Sequence, residues 1–144
     1  MILTTEQARF LEQTHSAAMI VVPPSGVAKA ARVGIAMVDG RLWSSGTQGR
    51  ARTGWLRRDP RCTLFVFEAG YSYLSVETSV TILDGPDAPE LNARLFREMQ
   101  GRPAGPLMWG GRELEEAAFL EAMRAEERLV YEFEIRRVSG LIAD

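Results

Sequence analysis

The chain has 144 residues, of which 46% are hydrophobic and 25% are charged; this composition is typical of an ordinary globular protein and predicts a single domain over residues 1–144. Its formal net charge of −2 excludes a global attraction to nucleic acid or to an anionic membrane. A single cysteine, Cys62, and a single histidine, His15, exclude an intrachain disulfide, a cysteine-based metal cage and a metal motif with two histidines.

The first third of the chain predicts one helix followed by three strands. Thr4 and Gln7 form a capping-box pattern, which predicts a helix over residues 5–14. Short apolar segments bounded by turn-forming residues predict strands over 17–22, 27–38 and 41–44. The Asp39-Gly40 pair is typical of a two-residue hairpin turn. Strands joined by such short turns are expected to pair antiparallel.

The rest of the chain predicts helices and strands around one irregular segment. Helices are predicted over 53–58, from Asp87 onward and over 112–127, and strands over 61–68, 71–83 and 128–138. The segment 101–111 holds glycines and prolines around an apolar centre, and we interpret it either as a substrate lid or as a plug over one end of the core. Six short strands favour a mainly β (α+β) fold with a small antiparallel barrel.

One stretch, SSGTQGRAR at residues 44–52, combines hydroxyl, glycine and arginine residues between two predicted strands. Hydroxyl groups and accessible backbone N–H groups can bind an anion, and the guanidinium groups of Arg50 and Arg52 suit phosphate or carboxylate. A helix that begins near Arg50 would also direct the positive end of its dipole at this loop. The pattern predicts an anion site, but an arginine-rich loop that is only solvated has the same appearance, and the residues alone leave both interpretations open.

The single cysteine and the N-terminus carry two further expectations. Cys62 lies inside the apolar run 62–67, and we interpret it as a buried structural thiol rather than a nucleophile. The first residues show no basic region followed by a long apolar stretch, and no apolar run approaches the length of a membrane span. We therefore expect a cytoplasmic protein without membrane contacts.

The order of these elements, together with the sequence RARTGWLRRDPR at residues 50–61, resembles the pyridoxamine 5'-phosphate oxidase-like split β-barrel family. The resemblance is greatest to its actinobacterial flavin and deazaflavin oxidoreductase branch, and LRRDPR at residues 56–61 is the most recognisable piece. The closing strand ERLVYEFEI at residues 127–135 also fits. The resemblance implies a six-stranded antiparallel split β-barrel with peripheral helices, and a homodimer with two cofactor sites at the subunit interface.

The resemblance also implies an oxidoreductase that binds coenzyme F420, or FMN instead, and transfers a hydride to or from a small organic substrate. The family's hydroxyl-bearing strand end falls on Ser44, Ser45 and Thr47, and its phosphate-binding basic residue, commonly lysine, falls on Arg52. The cofactor-binding residues implied in this way are Lys29, Arg32, Ser44, Ser45, Thr47, Arg50, Arg52 and Trp55. No residue is an obvious proton donor.

Two positions depart from the pattern of the branch, and they define an alternative. Trp55 stands where asparagine is common, and Arg32 stands where proline is common on the strand that lines the ring pocket. If Trp55 fills part of the groove, the alternative is a non-catalytic module that binds a flavin or another planar anionic ligand. A nucleic-acid interface would need a broader basic face than this chain offers. Tyr73 and Trp109 are candidates for stacking near the ring or the substrate, although aromatic residues in such places are more often part of the core or a dimer contact.

Overall fold

The computed structural model describes residues 2–143 and forms four helices and nine strands among them. The helices are α1 Thr5–Gln13, α2 Ala51–Arg58, α3 Ala88–Gln100 and α4 Glu116–Ala125. The strands are β1 Ser16–Val21, β2 Lys29–Gly34, β3 Ala36–Val38, β4 Arg41–Thr47, β5 Arg61–Phe67, β6 Tyr73–Leu83, β7 Leu107–Trp109, β8 Arg112–Leu114 and β9 Arg128–Leu141. Of the helices within residues 2–143, none has both the length and the apolar character that a membrane crossing requires.

Seven strands form one antiparallel sheet in the order β2-β1-β5-β6-β9-β4-β3. The two edge strands, β2 and β3, are separated along the chain by Ile35 alone, so the sheet must curl until its edges meet. A hydrogen bond crosses this seam, since the Ser44 hydroxyl of β4 donates to the Gly34 carbonyl at 2.7 Å, while the Ile35 N–H extends the ladder of β1 and β2 by donating to the His15 carbonyl at 3.2 Å. The expected mainly β fold with a curled antiparallel sheet is confirmed.

The main core lies inside the curled sheet and is built from alternate residues of its strands. Buried and exposed positions alternate along β5 and β6, so that Leu64, Leu74 and Val76 point inward and are at most 1% exposed. Helix α1 adds Leu11, which is fully buried in the same cluster. Because successive side chains of a strand point to opposite faces of the sheet, only those that point away from the core can contribute to a site on the outer face.

Two local signals in the sequence are confirmed. The Thr4 side chain accepts a hydrogen bond from the Gln7 N–H at 3.1 Å, and the Gln7 side chain accepts one from the Thr4 N–H at 3.0 Å, which completes the capping box of α1. Asp39 and Gly40 have φ values of 50° and 77°, which is the backbone of a two-residue hairpin turn between β3 and β4. Both features depend only on neighbours in the sequence.

The single strand expected over 27–38 is wrong, because the chain passes from one sheet edge to the other within it. Strand β2 ends at Gly34 and β3 begins at Ala36, so the sheet has seven strands rather than six. Ile35 packs inside the barrel, whereas Ala36 packs on the outer face with Leu95 of α3, and both residues are 0% exposed. Burial on both faces produces a continuous apolar run, which conceals the break.

The helix expected over 112–127 begins later than the sequence predicted. Strands β7 and β8 form a separate hairpin around Gly110 and Gly111, whose φ values of 60° and 78° suit a tight turn, and α4 begins only at Glu116. Leu107 of this hairpin is fully buried in a cluster with side chains of α3 and α4. The irregular segment is therefore packed against these helices, which favours the plug over the lid.

Candidate anion-binding groove

A groove of about 330 Å³ lies between the sheet edge at β1 and β2 and the first turns of α2. It is lined by Met19, Val21, Lys29, Ala30, Ala31, Arg50, Ala51, Arg52 and Trp55. Three of these side chains are cationic, and none of the residues among 2–143 that line the groove is acidic. The groove therefore offers positive charge to a ligand without a neutralising carboxylate in its wall.

The wall of the groove is apolar beside these cations. Met19 and Val21 on β1 are 1% and 3% exposed, and the register of the sheet places Ala31 opposite Met19. Trp55 of α2 is partly buried against the barrel core. Small alanine side chains on β2 leave space between this apolar wall and the cations. An apolar wall with charge at its rim suits a ligand that joins a planar ring to an anionic group.

A larger depression, of about 410 Å³, lies beside β1, β5 and β6, but it carries charges of both signs. Asp59, Arg61, Glu77 and Arg136 contribute to its lining. Asp59 and Arg61 pair at 2.8 Å, and the hydrogen bond from Arg61 lowers the pKa of the Asp59 carboxyl. Since these charges are partly neutralised within the protein, the smaller groove is the better anion site.

Arg52 has the most informative environment in the groove. Its Nε is buried and has no hydrogen-bond partner among residues 2–143. A buried donor without a partner costs about 1–3 kcal/mol, so a ligand oxygen at this point would be favourable. Within the same described residues, Lys29, Arg50 and Arg52 form no ion pair, whereas many arginines elsewhere in the chain do. These residues therefore fit an anionic cofactor.

Thr53 connects α2 to the strand that precedes it. Thr53 is 1% exposed, and its hydroxyl donates to the Thr47 carbonyl at 2.7 Å. The same hydroxyl is hydrogen-bonded to the Tyr131 hydroxyl of β9. The backbone supports this arrangement, since the Thr53 N–H donates to the Arg50 carbonyl at 3.1 Å. Helix α2 begins at Ala51, two residues earlier than expected, with Arg50 as its N-cap.

A surface network holds the other side of the loop between β4 and α2. Arg57 donates to the side-chain oxygen of Gln48 and to the Asp84 carboxylate, each at 2.8 Å. Gln48 donates to the same carboxylate at 3.4 Å. The hydrogen bond from Arg57 lowers the pKa of the Asp84 carboxyl, and that from Gln48 acts in the same direction. This network connects the loop to the turn before α3.

The sequence-derived residues divide into two groups. Lys29, Arg50, Arg52 and Trp55 are brought together in the groove. The hydroxyl residues of β4 lie elsewhere, since Ser44 closes the barrel seam and the Ser45 hydroxyl donates to the Asn92 side chain of α3 at 2.6 Å. Thr47 contributes its carbonyl to Thr53, and the Arg32 side chain donates to the Ser16 hydroxyl at 3.2 Å. None of these four residues lines the groove.

The two aromatic candidates also lie outside the groove. The Trp109 indole N–H donates to Glu126 at 2.8 Å, and its ring packs edge-on against Phe96 at 5.2 Å between centroids. Tyr73 lies on the outer face of the sheet, 5.4 Å from the ring of Phe65. Trp109 thus stabilises the cluster under α3 and α4, and Tyr73 belongs to a different surface.

Cys62 is buried, as the sequence predicted. It is 4% exposed, and desolvation raises the pKa of its thiol to about 12. At neutral pH the thiol is therefore protonated and is a poor nucleophile.

Sequence reasoning missed the apolar wall of the groove and the buried bonds of Thr53. Met19 and Val21 alternate with less buried residues along β1, so a pattern of period two identifies them as inward-facing. No sequence pattern identifies which helix they face, because that depends on the pairing of β1 with β2. Thr53 gives only a weak signal, as a hydroxyl residue within a short helix.

Comparison with known proteins identifies the fold through structure alone. No protein-family model matches the sequence, and no curated protein sequence is significantly similar to it. A conserved hypothetical protein from Mycobacterium tuberculosis superposes with a TM-score of 0.73 at 20% identity, over 97% of this chain and 84% of that one.

Two further similar structures have names that refer to redox proteins. A protein named F420 reductase has a TM-score of 0.66 at 17% identity, over 91% of this chain and 94% of that one. A putative pyridoxamine 5'-phosphate oxidase from Listeria innocua has a TM-score of 0.63 at 12% identity, over 92% of this chain and 93% of that one. The resemblance seen in the sequence is therefore confirmed at the level of the fold, and the chain has the split-barrel fold of the pyridoxamine 5'-phosphate oxidase-like family.

Proposed function

We propose that this protein is an oxidoreductase that binds coenzyme F420, or FMN in its place, in the groove between β2 and α2. The observation that supports this most directly is the buried Nε of Arg52, which has no hydrogen-bond partner in the described part of the chain and lies beside an apolar wall. The cofactor would supply the hydride chemistry, and the protein would supply binding and orientation. The substrate is proposed to be a small organic molecule.

Five of the groove residues have a defined role in this proposal. Arg50 and Arg52 hold the cofactor phosphate, since a guanidinium group can donate two parallel hydrogen bonds to an oxyanion. Lys29 at the rim of the groove adds a third positive charge for an anionic tail or for the polar edge of the ring. Met19 and Trp55 exclude water from the apolar part of the groove, which strengthens the charged contacts beside it.

We also propose that the protein is a homodimer, as the family resemblance implies. Phe67, Tyr73 and Leu141 lie side by side on neighbouring strands of the sheet and are 52%, 37% and 55% exposed. Exposed apolar groups in a contiguous patch support a protein contact. Sedimentation equilibrium measures the mass directly, and a monomer at micromolar concentration would contradict this part of the proposal.

A non-catalytic role for the same groove is the second candidate. It is favoured by the composition of the lining, because among residues 2–143 no carboxylic acid, histidine or hydroxyl, the usual groups for proton transfer in catalysis, lines the groove. A binding module would hold the ligand tightly but would not exchange its hydride. Reduction of the bound cofactor by a panel of small donors, followed by absorbance, separates the two candidates.

The proposal is tested by titrating the protein with coenzyme F420 and, separately, with FMN, and following ligand fluorescence. Substitution of Arg52 by Ala is expected to weaken binding about 10- to 100-fold, because a charge-assisted hydrogen bond contributes about 1.5–3 kcal/mol. Arg58→Ala is the matched control, because Arg58 lies on the same helix, is exposed and does not line the groove. Binding of neither cofactor by the wild-type protein would reject the proposed function. An unchanged dissociation constant for Arg52→Ala would remove Arg52 from the site.

A further inference from the structure

We propose that Thr53 is a positioning residue: its hydroxyl fixes the first turn of α2 so that Arg50 and Arg52 face the groove. The hydroxyl bridges the Thr47 carbonyl and the Tyr131 hydroxyl. This inference rests on the proposed function, because it concerns the binding of an anionic cofactor in that groove. It adds a residue that does not touch the ligand.

The direction of the two hydrogen bonds follows from the chemistry of the groups. A carbonyl oxygen can only accept, so the single Thr53 proton is donated to Thr47. The Tyr131 hydroxyl must then donate to the Thr53 oxygen. Both hydrogen bonds of Thr53 are made together when α2 stands in its observed position relative to β4 and β9. The hydroxyl of Thr53 is therefore the central group of a buried chain.

Local sequence cannot hold α2 in this position. The helix has eight residues, with Gly54 in its interior, and its N-cap residue Arg50 makes no side-chain capping bond. Leu56 is 2% exposed and anchors the helix by apolar contact, which does not define its rotation. Within α2, Thr53 is the only buried residue with a polar side chain. Directional contacts to the barrel interior therefore come from Thr53.

The position of Tyr131 is itself fixed by a glycine. Tyr131 is fully buried, and its ring covers Gly46 of β4, where any Cβ would lie 2.5 Å from Cε2 of the ring. The absence of a side chain at Gly46 lets the tyrosine hydroxyl reach Thr53.

The direction of the Arg52 side chain depends on the rotation of α2 about its axis. Since Arg52 directly precedes Thr53, a rotation of the helix by about 100°, the angle of one residue, would remove the guanidinium group of Arg52 from the groove.

The test uses two substitutions at Thr53 and a matched control elsewhere. Thr53→Val keeps the shape but removes the hydroxyl, and Thr53→Ser keeps the hydroxyl. The control is Thr78→Val, because Thr78 is 4% exposed and its hydroxyl donates to the Cys62 carbonyl at 2.7 Å, so that a buried threonine hydroxyl with one hydrogen bond, rather than two, is lost on β6. Binding of coenzyme F420 and of FMN is measured by fluorescence titration under conditions where every variant is folded.

Thr53→Val is expected to raise the dissociation constant about fivefold, while Thr53→Ser and Thr78→Val stay within about twofold of the wild type. A wild-type dissociation constant for Thr53→Val would overturn the inference. So would an equal weakening by Thr78→Val, because the effect would then follow from lower stability. A serine variant that fails to restore binding would show that the methyl group, not the hydroxyl, is what matters, and would overturn it as well.

Hydrogen exchange tests the inference even if the wild-type protein binds neither cofactor. Thr53→Val is expected to increase the exchange rates of the α2 amides about tenfold relative to those of β5, and Thr53→Ser is expected to restore them. Unchanged exchange in α2 would overturn the positioning role. If the wild-type protein binds neither cofactor but Thr53→Val still changes the exchange rates of α2, the proposed function is rejected. The role of Thr53 in holding α2 is then retained.

Discussion

Substitution of Gly46 by alanine should destabilise the protein strongly, although glycine within a strand normally makes a protein less stable than alanine does. The new Cβ would lie 2.5 Å from Cε2 of Tyr131 and at least as close to two further atoms of that side chain. Carbon atoms in contact are normally about 3.5–4.0 Å apart, so the ring must move by about 1 Å or more. The ring is fully buried and bonded to Thr53, so it cannot move freely.

The expected magnitude combines three effects. Overpacking of a core costs about 1–3 kcal/mol, and loss of the bond between Tyr131 and Thr53 adds about 1 kcal/mol. Alanine has less conformational freedom than glycine in the unfolded chain, which stabilises the folded protein by about 0.5 kcal/mol and offsets part of this loss. Gly46→Ala should therefore lower the free energy of unfolding by about 1.5–3.5 kcal/mol, which is a fall of about 1 M in the urea midpoint for a typical small domain.

Urea unfolding at one protein concentration, followed by tryptophan fluorescence, measures this difference. Gly54→Ala is the control, because that position has no heavy atom within 4 Å of a new Cβ and lies in α2, so alanine there should stabilise by about 0.5–1 kcal/mol. In a Tyr131→Ala background, Gly46→Ala should no longer be destabilising, because the ring is gone. A Gly46→Ala variant within about 0.5 kcal/mol of the wild type would refute the close packing of the ring on Gly46.

Three further predictions concern stability. Thr4→Ala should lower the free energy of unfolding by about 1 kcal/mol because the capping box is lost, whereas Thr5→Ala, at the exposed first helical position, should change it by less than about 0.5 kcal/mol in the same urea experiment. The raised pKa of Cys62, about 12 against an ordinary 9.0, means that the unfolded chain loses this proton first, so stability is retained below pH 9 and falls between pH 9 and 12. Cys62→Val should remove about 1 kcal/mol of that fall at pH 10, and an identical alkaline profile for both proteins would contradict the buried thiol. The lowered pKa of Asp84, caused mainly by Arg57, means that its contribution is present above its ordinary pKa and is lost as the pH falls. Because both side chains are partly exposed, Asp84→Asn should cost less than about 1 kcal/mol at pH 7 and low salt, and the difference should shrink below about pH 4; a constant difference would assign it to packing.

Local sequence signals were sufficient for several elements of this fold. The capping box at Thr4 and the turn at Asp39-Gly40 are confirmed because each depends on residues that are adjacent in the chain. The cations of the candidate groove were also recognised, since Arg50 and Arg52 follow a strand end. The hydroxyl groups beside them were assigned to the same site from the residue pattern and again by resemblance, but the Ser44 hydroxyl donates to the Gly34 carbonyl and closes the barrel. Its role could not be predicted, because the Gly34 carbonyl it bonds belongs to the opposite sheet edge.

The sequence by itself determined that the four helices form, though not where α2 and α4 begin, together with most of the strands, the burial of Cys62 and the position of the arginine-rich loop. Patterns of period two and 3.6 and turn-forming residues suffice for this because they act over a few neighbouring positions. Only the tertiary structure decided that β2 and β3 lie at opposite sheet edges, and that Lys29 meets Arg52 across a groove while Ser44 does not. The physical reason is that strand pairing and closure of the curled sheet bring together residues far apart in the chain. That closure also decides which polar groups have no protein partner, and the Nε of Arg52 is such a group among residues 2–143.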